Sequence, residues 1–133
     1  MTQRIPTSEF KSVGCAECRN ADGLEFDFTM AFQPIFNVKT GAAYAYEALV
    51  RGLNGESAAN ILGRVNDSNR YRFDQACRVK AIELAAELGL LTIPDCKLSI
   101  NFLPNAVYRA ETCIRATLEA ARLFDFPVER LMF

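Results

Sequence analysis

The spacing of apolar positions changes along the chain, and each change marks an element. Residues 1–23 show little periodicity and contain Pro6, Gly14, Gly23 and the pair Cys15 and Cys18, which predicts a lead-in segment. From Phe28 to Ile35 the chain is dense in aromatic and apolar residues, and Asn37-Val38-Lys39-Thr40-Gly41 follows as a turn signal. Ala42 to Arg51 then alternates. Tyr44, Tyr46, Ala48 and Val50 fall on one face, and Ala43, Ala45, Glu47, Leu49 and Arg51 on the other. So short a connection predicts an antiparallel pair, because parallel strands need a crossover of about a dozen residues or more.

The period then lengthens. Gly52, Gly55 and Gly63 interrupt the next stretch, leaving a short helical patch around Ala58 to Val65. Phe73, Cys77, Ala81, Leu84, Ala85 and Leu88 recur at helical spacing and predict one apolar face, with Arg78, Glu83 and Glu87 turned away. Gly89 is the expected stop, with Pro94 beyond it. Lys97 to Phe102 predicts a strand with Leu98, Ile100 and Phe102 on one face and Ser99 and Asn101 on the other. Asn105 fits an N-cap, and Val107, Ala110, Ile114, Leu118 and Ala121 predict a further helix, along which Glu119 can pair with Arg115 and Arg122. Pro127 ends it, and Arg130 to Phe133 opens another strand. A hairpin followed by alternating helices and strands predicts an α/β protein with a parallel sheet or barrel.

Composition narrows the class. Half of the 133 residues are apolar, 11% are aromatic and 23% charged, which excludes disordered, collagenous and membrane classes. Net charge is −1, from 15 basic and 16 acidic residues. The densest basic stretch, Arg64 to Arg78, is interleaved with Asp67 and Asp74 and predicts a solvated helix face, so no polymeric nucleic-acid partner is expected. No apolar run approaches the roughly 18–20 residues of a membrane span, and Met1 to Lys11 is polar; a cytosolic protein without a membrane segment is expected. Five cysteines at irregular spacing do not suit a secreted disulfide framework.

There is no histidine, so any chemistry rests on carboxylates, amides, cysteines or cations. Glu47 sits within an alternating strand, where a carboxylate is costly unless paired or bound to a cation; a local Glu47–Arg51 ion pair is the plain alternative. Asn101 offers an amide oxygen at a strand end, suited to a hard cation or to capping the next helix. Arg51 suits a phosphate, since guanidinium meets phosphate oxygens in pairs. Cys15-Ala16-Glu17-Cys18 is open between a zinc knuckle, a redox pair and two ordinary thiols. A closed zinc site wants four ligands, and Cys77, Cys96 and Cys113 supply no second pair. Cys77 fits a core position.

Three segments, in this order and spacing, resemble the EAL family: Phe32-Gln33-Pro34-Ile35, Tyr46-Glu47-Ala48-Leu49-Val50-Arg51, and Ser99-Ile100-Asn101-Phe102-Leu103-Pro104. The likeness runs from about Phe28 to Phe133, implying a domain at 28–133 behind a lead-in at 1–27. It implies a partial (β/α)8 TIM-like barrel whose first strand is antiparallel to its neighbour, truncated about halfway. It also implies hydrolysis of one 3′–5′ phosphodiester of cyclic-di-GMP to linear pGpG, with two divalent cations, Mg2+ or Mn2+, in the complete domain. Glu47 and Asn101 then become metal ligands, and Gln33, Leu49 and Arg51 substrate contacts. Homodimer assembly is left open.

Two departures stand out. The family's usual serine is absent from Asn101-Phe102-Leu103-Pro104, and Asn69 to Asp74 departs from the commoner pattern and draws no site role. In the family, the strand opened at Arg130 leads into a glutamate ligand, and later strands bring an aspartate pair, a lysine and further acidic residues. The chain is therefore expected to be inactive alone. A non-catalytic regulatory module that binds a nucleotide or protein, and a Cys-x-x-Cys metal or redox module, are the alternatives.

Overall fold

The computed structural model describes residues 24–103 and 110–133. The lead-in with Cys15 and Cys18, and the expected cap at Asn105, lie outside the described residues.

The expected hairpin forms. Strand β1 (Thr29–Phe36) pairs antiparallel with β2 (Ala43–Arg51), from Thr29 opposite Arg51 to Phe36 opposite Ala43, with a register shift between Ile35 and Phe36. The turn is closed by its own side chains: Asn37 Oδ1 accepts from the Lys39 N–H at 2.9 Å, and Thr40 Oγ1 from the Ala42 N–H at 3.2 Å. Gly41 has φ 72°, a conformation that a side chain would penalise. Pro34 lies within β1, where it is tolerated because β1 is an edge strand.

Helix α1 (Ala58–Leu62) is capped by Ser57, whose hydroxyl accepts from the Asn60 N–H at 3.1 Å. Helix α2 (Arg70–Glu87) contains neither glycine nor proline and ends where Gly89 turns left-handed at φ 88°. The chain re-enters the sheet as β3 (Lys97–Ser99), parallel to β2 with Glu47 opposite Ser99. Helix α3 (Ala110–Leu123) leads to β4 (Leu131–Met132), parallel to β3 with Ser99 opposite Met132. The sheet order is β1-β2-β3-β4. This is a mixed α/β fold whose first strand runs antiparallel to its neighbour, as expected. No described helix is long and apolar enough to cross a membrane.

The alternation decides where the core lies. Ala48, Leu98 and Ile100 face Val79, Ile82 and Ala85 of α2 and Ala120 and Ala121 of α3, with Met30, Phe32, Tyr46 and Leu131 packed at the margin. A second cluster joins Phe28, Ile61, Phe73 and Ala76, where the rings of Phe28 and Phe73 lie 5.1 Å apart.

Two expectations for α2 fail. Arg78 and Glu83 are not turned to solvent: both are buried, and Arg78 pairs with Asp74, the side chains being 1% and 2% exposed. The stretch from Arg64 to Arg78 is thus not a uniformly solvated face. The reason is that α2 touches both β1 and α3, so its buried arc is wider than one apolar stripe. Leu88, expected on the apolar face, is 73% exposed because it is the C-cap, where the chain is already leaving the helix. The α1 patch is also shorter than expected, and β3 ends at Ser99 rather than Phe102.

Candidate functional site

The odd-numbered positions of β1 and β2 lie on the face opposite the main core. Gln33 stands directly across from Glu47, Ala31 from Leu49 and Thr29 from Arg51. On the other side of Glu47, in β3, is Ser99. Gln33 is exposed, while Glu47, Leu49 and Arg51 are half-buried.

Asn101 joins this row from beyond the end of β3. Its Nδ2 donates to Glu47 Oε2 at 3.3 Å, so two residues 54 positions apart meet at one point. The backbone on either side of Asn101 is held: the Ile100 N–H donates to the Met132 carbonyl at 2.9 Å, and the Leu103 N–H donates to Asp74 Oδ1 at 2.9 Å. Arg51 shares the row but not the contact. Its Nη1 donates to the Val50 carbonyl at 2.7 Å, and among the described residues it forms no ion pair with Glu47. The plain alternative for Glu47 is therefore not realised here.

The donor chemistry at this point is one carboxylate and one amide. Both offer hard oxygens of the kind Mg2+ and Mn2+ accept, provided the amide turns its oxygen inward. Kind fits; number does not. No group of three or more His, Cys, Asp or Glu gathers for a metal among the described residues. A pair of cations about 3.5–4 Å apart needs more ligands than these two side chains provide.

Asp74, which ties down the chain beyond Asn101, drew no role from sequence. It also takes an ion pair from Arg78, whose Nε donates to Thr117 Oγ1 at 2.7 Å and whose guanidinium lies 4.2 Å from the Phe102 ring centre. The available signal was the four-residue spacing of Asp74 and Arg78, which places both on one side of a helix. Of the described thiols, Cys77 and Cys96, neither joins this row. Cys77 is packed beside the second apolar cluster, and burial pushes its pKa well above the ordinary thiol range.

Solved structures with a similar fold exist. A standalone versatile EAL protein from Vibrio cholerae O395, in a c-di-GMP-bound form, is 64% identical, with a TM-score of 0.77 over 84% of this chain and 45% of that chain. BlrP1 of Klebsiella pneumoniae, in a complex with manganese and cyclic diGMP, is 24% identical, with a TM-score of 0.69 over 78% of this chain and 26% of that chain. The FimX EAL domain of Xanthomonas citri, in complex with c-diGMP, is 19% identical, with a TM-score of 0.61 over 78% of this chain and 41% of that chain. The last two bear on fold alone. No family model matches the chain, and no curated protein matches it significantly.

The fold is thus that of a partial EAL-type barrel, and the chain belongs to the EAL-domain family. It spans less than half the length of each of these relatives.

Proposed function

We propose that residues 28–133 carry part of the substrate and metal face of a cyclic-di-GMP-signalling EAL domain acting in the cytosol, and that the complete domain hydrolyses cyclic-di-GMP to pGpG. The observation that carries this reading is the meeting of Glu47 and Asn101 on a face shared with Gln33 and Leu49. The 64% identity to an EAL protein solved in a c-di-GMP-bound form supports the choice of ligand.

In this reading Glu47 and Asn101 hold one divalent cation, Mg2+ or Mn2+, and the rest of the domain completes the ligand set. Bound cations in such a site polarise the phosphoryl group and lower the pKa of a bound water. Arg51 leaves the Val50 carbonyl for a phosphate oxygen, which offers its guanidinium a charged partner instead of a neutral one. Gln33 hydrogen-bonds the ligand from the neighbouring strand, and Leu49 forms an apolar floor between Glu47 and Arg51.

The test uses two proteins: residues 1–133, and a version extended to the length of the Vibrio relative. Products are separated by chromatography after incubation with cyclic-di-GMP and Mg2+ or Mn2+. The extended protein is expected to form pGpG, Glu47→Gln to lower kcat by at least about 100-fold and Gln33→Ala chiefly to raise KM. Residues 1–133 are expected to yield no product. Wild-type turnover in extended Glu47→Gln refutes the metal role. Turnover by residues 1–133 that is lost in Glu47→Gln refutes inactivity of the short chain, and light scattering of the same sample shows whether a second copy completes the site. Tight binding without product in the extended protein favours a non-catalytic nucleotide-binding module.

A further inference from the structure

We infer that Asp74 is a positioning residue for Asn101, acting through the backbone of Leu103 and itself locked in place by Arg78. The inference rests on the proposed role of the Glu47–Asn101 pair.

Asn101 is exposed, and its bond to Glu47 is a long 3.3 Å. Such a contact cannot by itself fix a side chain lying beyond the last paired residue of β3. The constraint comes from the residues beside it. The Leu103 N–H donates to Asp74 Oδ1 at 2.9 Å, and Phe102 lays its ring against Arg78 at 4.2 Å. Asp74 and Arg78 pair in turn, and Thr117 of α3 takes the Arg78 Nε–H at 2.7 Å. One buried network thus holds the two residues that follow Asn101 and anchors them to both α2 and α3.

Asp74 and Arg78 are both essentially buried, where charge-assisted hydrogen bonds are stiff and misplacement is costly. Phe102 points to the helices and Asn101 to the opposite face, so pinning the first orients the second. The single backbone donor at Leu103 fixes how far the chain advances beyond β3. With that donor unheld, Asn101 keeps its identity but loses its address.

The experiment separates this role from bulk stability. Removing Asp74 alone takes a carboxylate from a buried cation, so two double variants are compared, both with Arg78→Met. Asp74→Asn/Arg78→Met keeps an oxygen for the Leu103 N–H, and Asp74→Leu/Arg78→Met removes it while filling the space. Amide exchange and the Asn101 side-chain NH2 resonances are followed by NMR on the full chain, and the Asn101 resonances again in the extended protein with and without Mn2+.

In the wild-type protein the Leu103 amide is expected to be protected. In the leucine double variant it should exchange roughly three- to tenfold faster relative to Ile82, and the Asn101 resonances should move. The asparagine double variant should keep both near wild type. An unprotected Leu103 amide in the wild-type protein overturns the inference, as does an equal response of the two variants at Leu103 and Asn101. Mn2+ keeps the two readings apart. If Mn2+ leaves Asn101 undisturbed in the protein extended to the length of the Vibrio relative, the metal role fails, while the exchange comparison on the 133-residue chain still decides whether Asp74 positions the residue.

Discussion

The two faces of one sheet obey different rules. On the even-numbered face, Ala48, Leu98 and Ile100 are buried against two helices, and the charges nearby, Asp74 and Arg78, are tied into a closed network. On the odd-numbered face Gln33 and Asn101 are exposed, Glu47 and Arg51 half-buried, and the bond joining Asn101 to Glu47 is long. Ala45 is covered there too, but it is small and lies at the other end of β2 from Arg51. One face spends its residues on packing; the other keeps polar groups adjustable and turned outward. The contrast teaches that the candidate site is built by the face it does not occupy, since Asn101 is held from behind.

The largest expected effect lies in the buried network. Asp74→Ala should destabilise the chain by about 3–5 kcal/mol, because it takes away the buried carboxylate that Arg78 pairs with, and urea unfolding will measure it. A loss below about 1 kcal/mol would mean that the helix face relaxes and that the two faces differ less than the structure implies. Next comes a matched pair of apolar truncations. Ile82→Ala should cost roughly 2–5 kcal/mol, whereas Leu49→Ala, half-buried on the open face, should cost about 1 kcal/mol or less. Equal losses would break the comparison outright.

A thiol probe sharpens it further. Burial raises the Cys77 pKa, so at neutral pH the reactive thiolate is scarce, and peptide mapping after alkylation should find Cys77 unmodified until the chain unfolds. Rapid native labelling at Cys77 would show that the second cluster opens readily. The smallest effect is on the outer surface of α3. The Arg122 hydrogen bond holds the Glu119 carboxyl below its ordinary pKa. A lowered folded pKa stabilises the chain above the unfolded carboxylate range, and that contribution is lost as pH falls through the folded value. Arg122→Ala should therefore shift the urea midpoint slightly at neutral pH and not at about pH 3.

Local pattern and turn chemistry made the hairpin legible. Strict alternation set the faces of β2, and Asn37 to Gly41 set the turn. The short connection settled the antiparallel sense. Glu47, Gln33 and Leu49 could be placed together because strand register follows from these. Asn101 required the resemblance, since nothing local says that a residue beyond a three-residue strand returns to a carboxylate 54 positions earlier. Asp74, Arg78 and Glu83 were misplaced for a different reason. Periodicity assigns a helix one apolar stripe, and a helix packed on both a sheet and another helix buries flanking positions where charge survives by pairing.

Pro34 carries a consequence of another kind. Among the described residues the eight of β1 form an outer strand of the sheet, a length that invites other chains to add on. A proline near its middle denies any incoming strand an unbroken ladder of amide hydrogens. The edge is thereby blunted as a template for aggregation, by a residue that contributes no side-chain hydrogen bond at all.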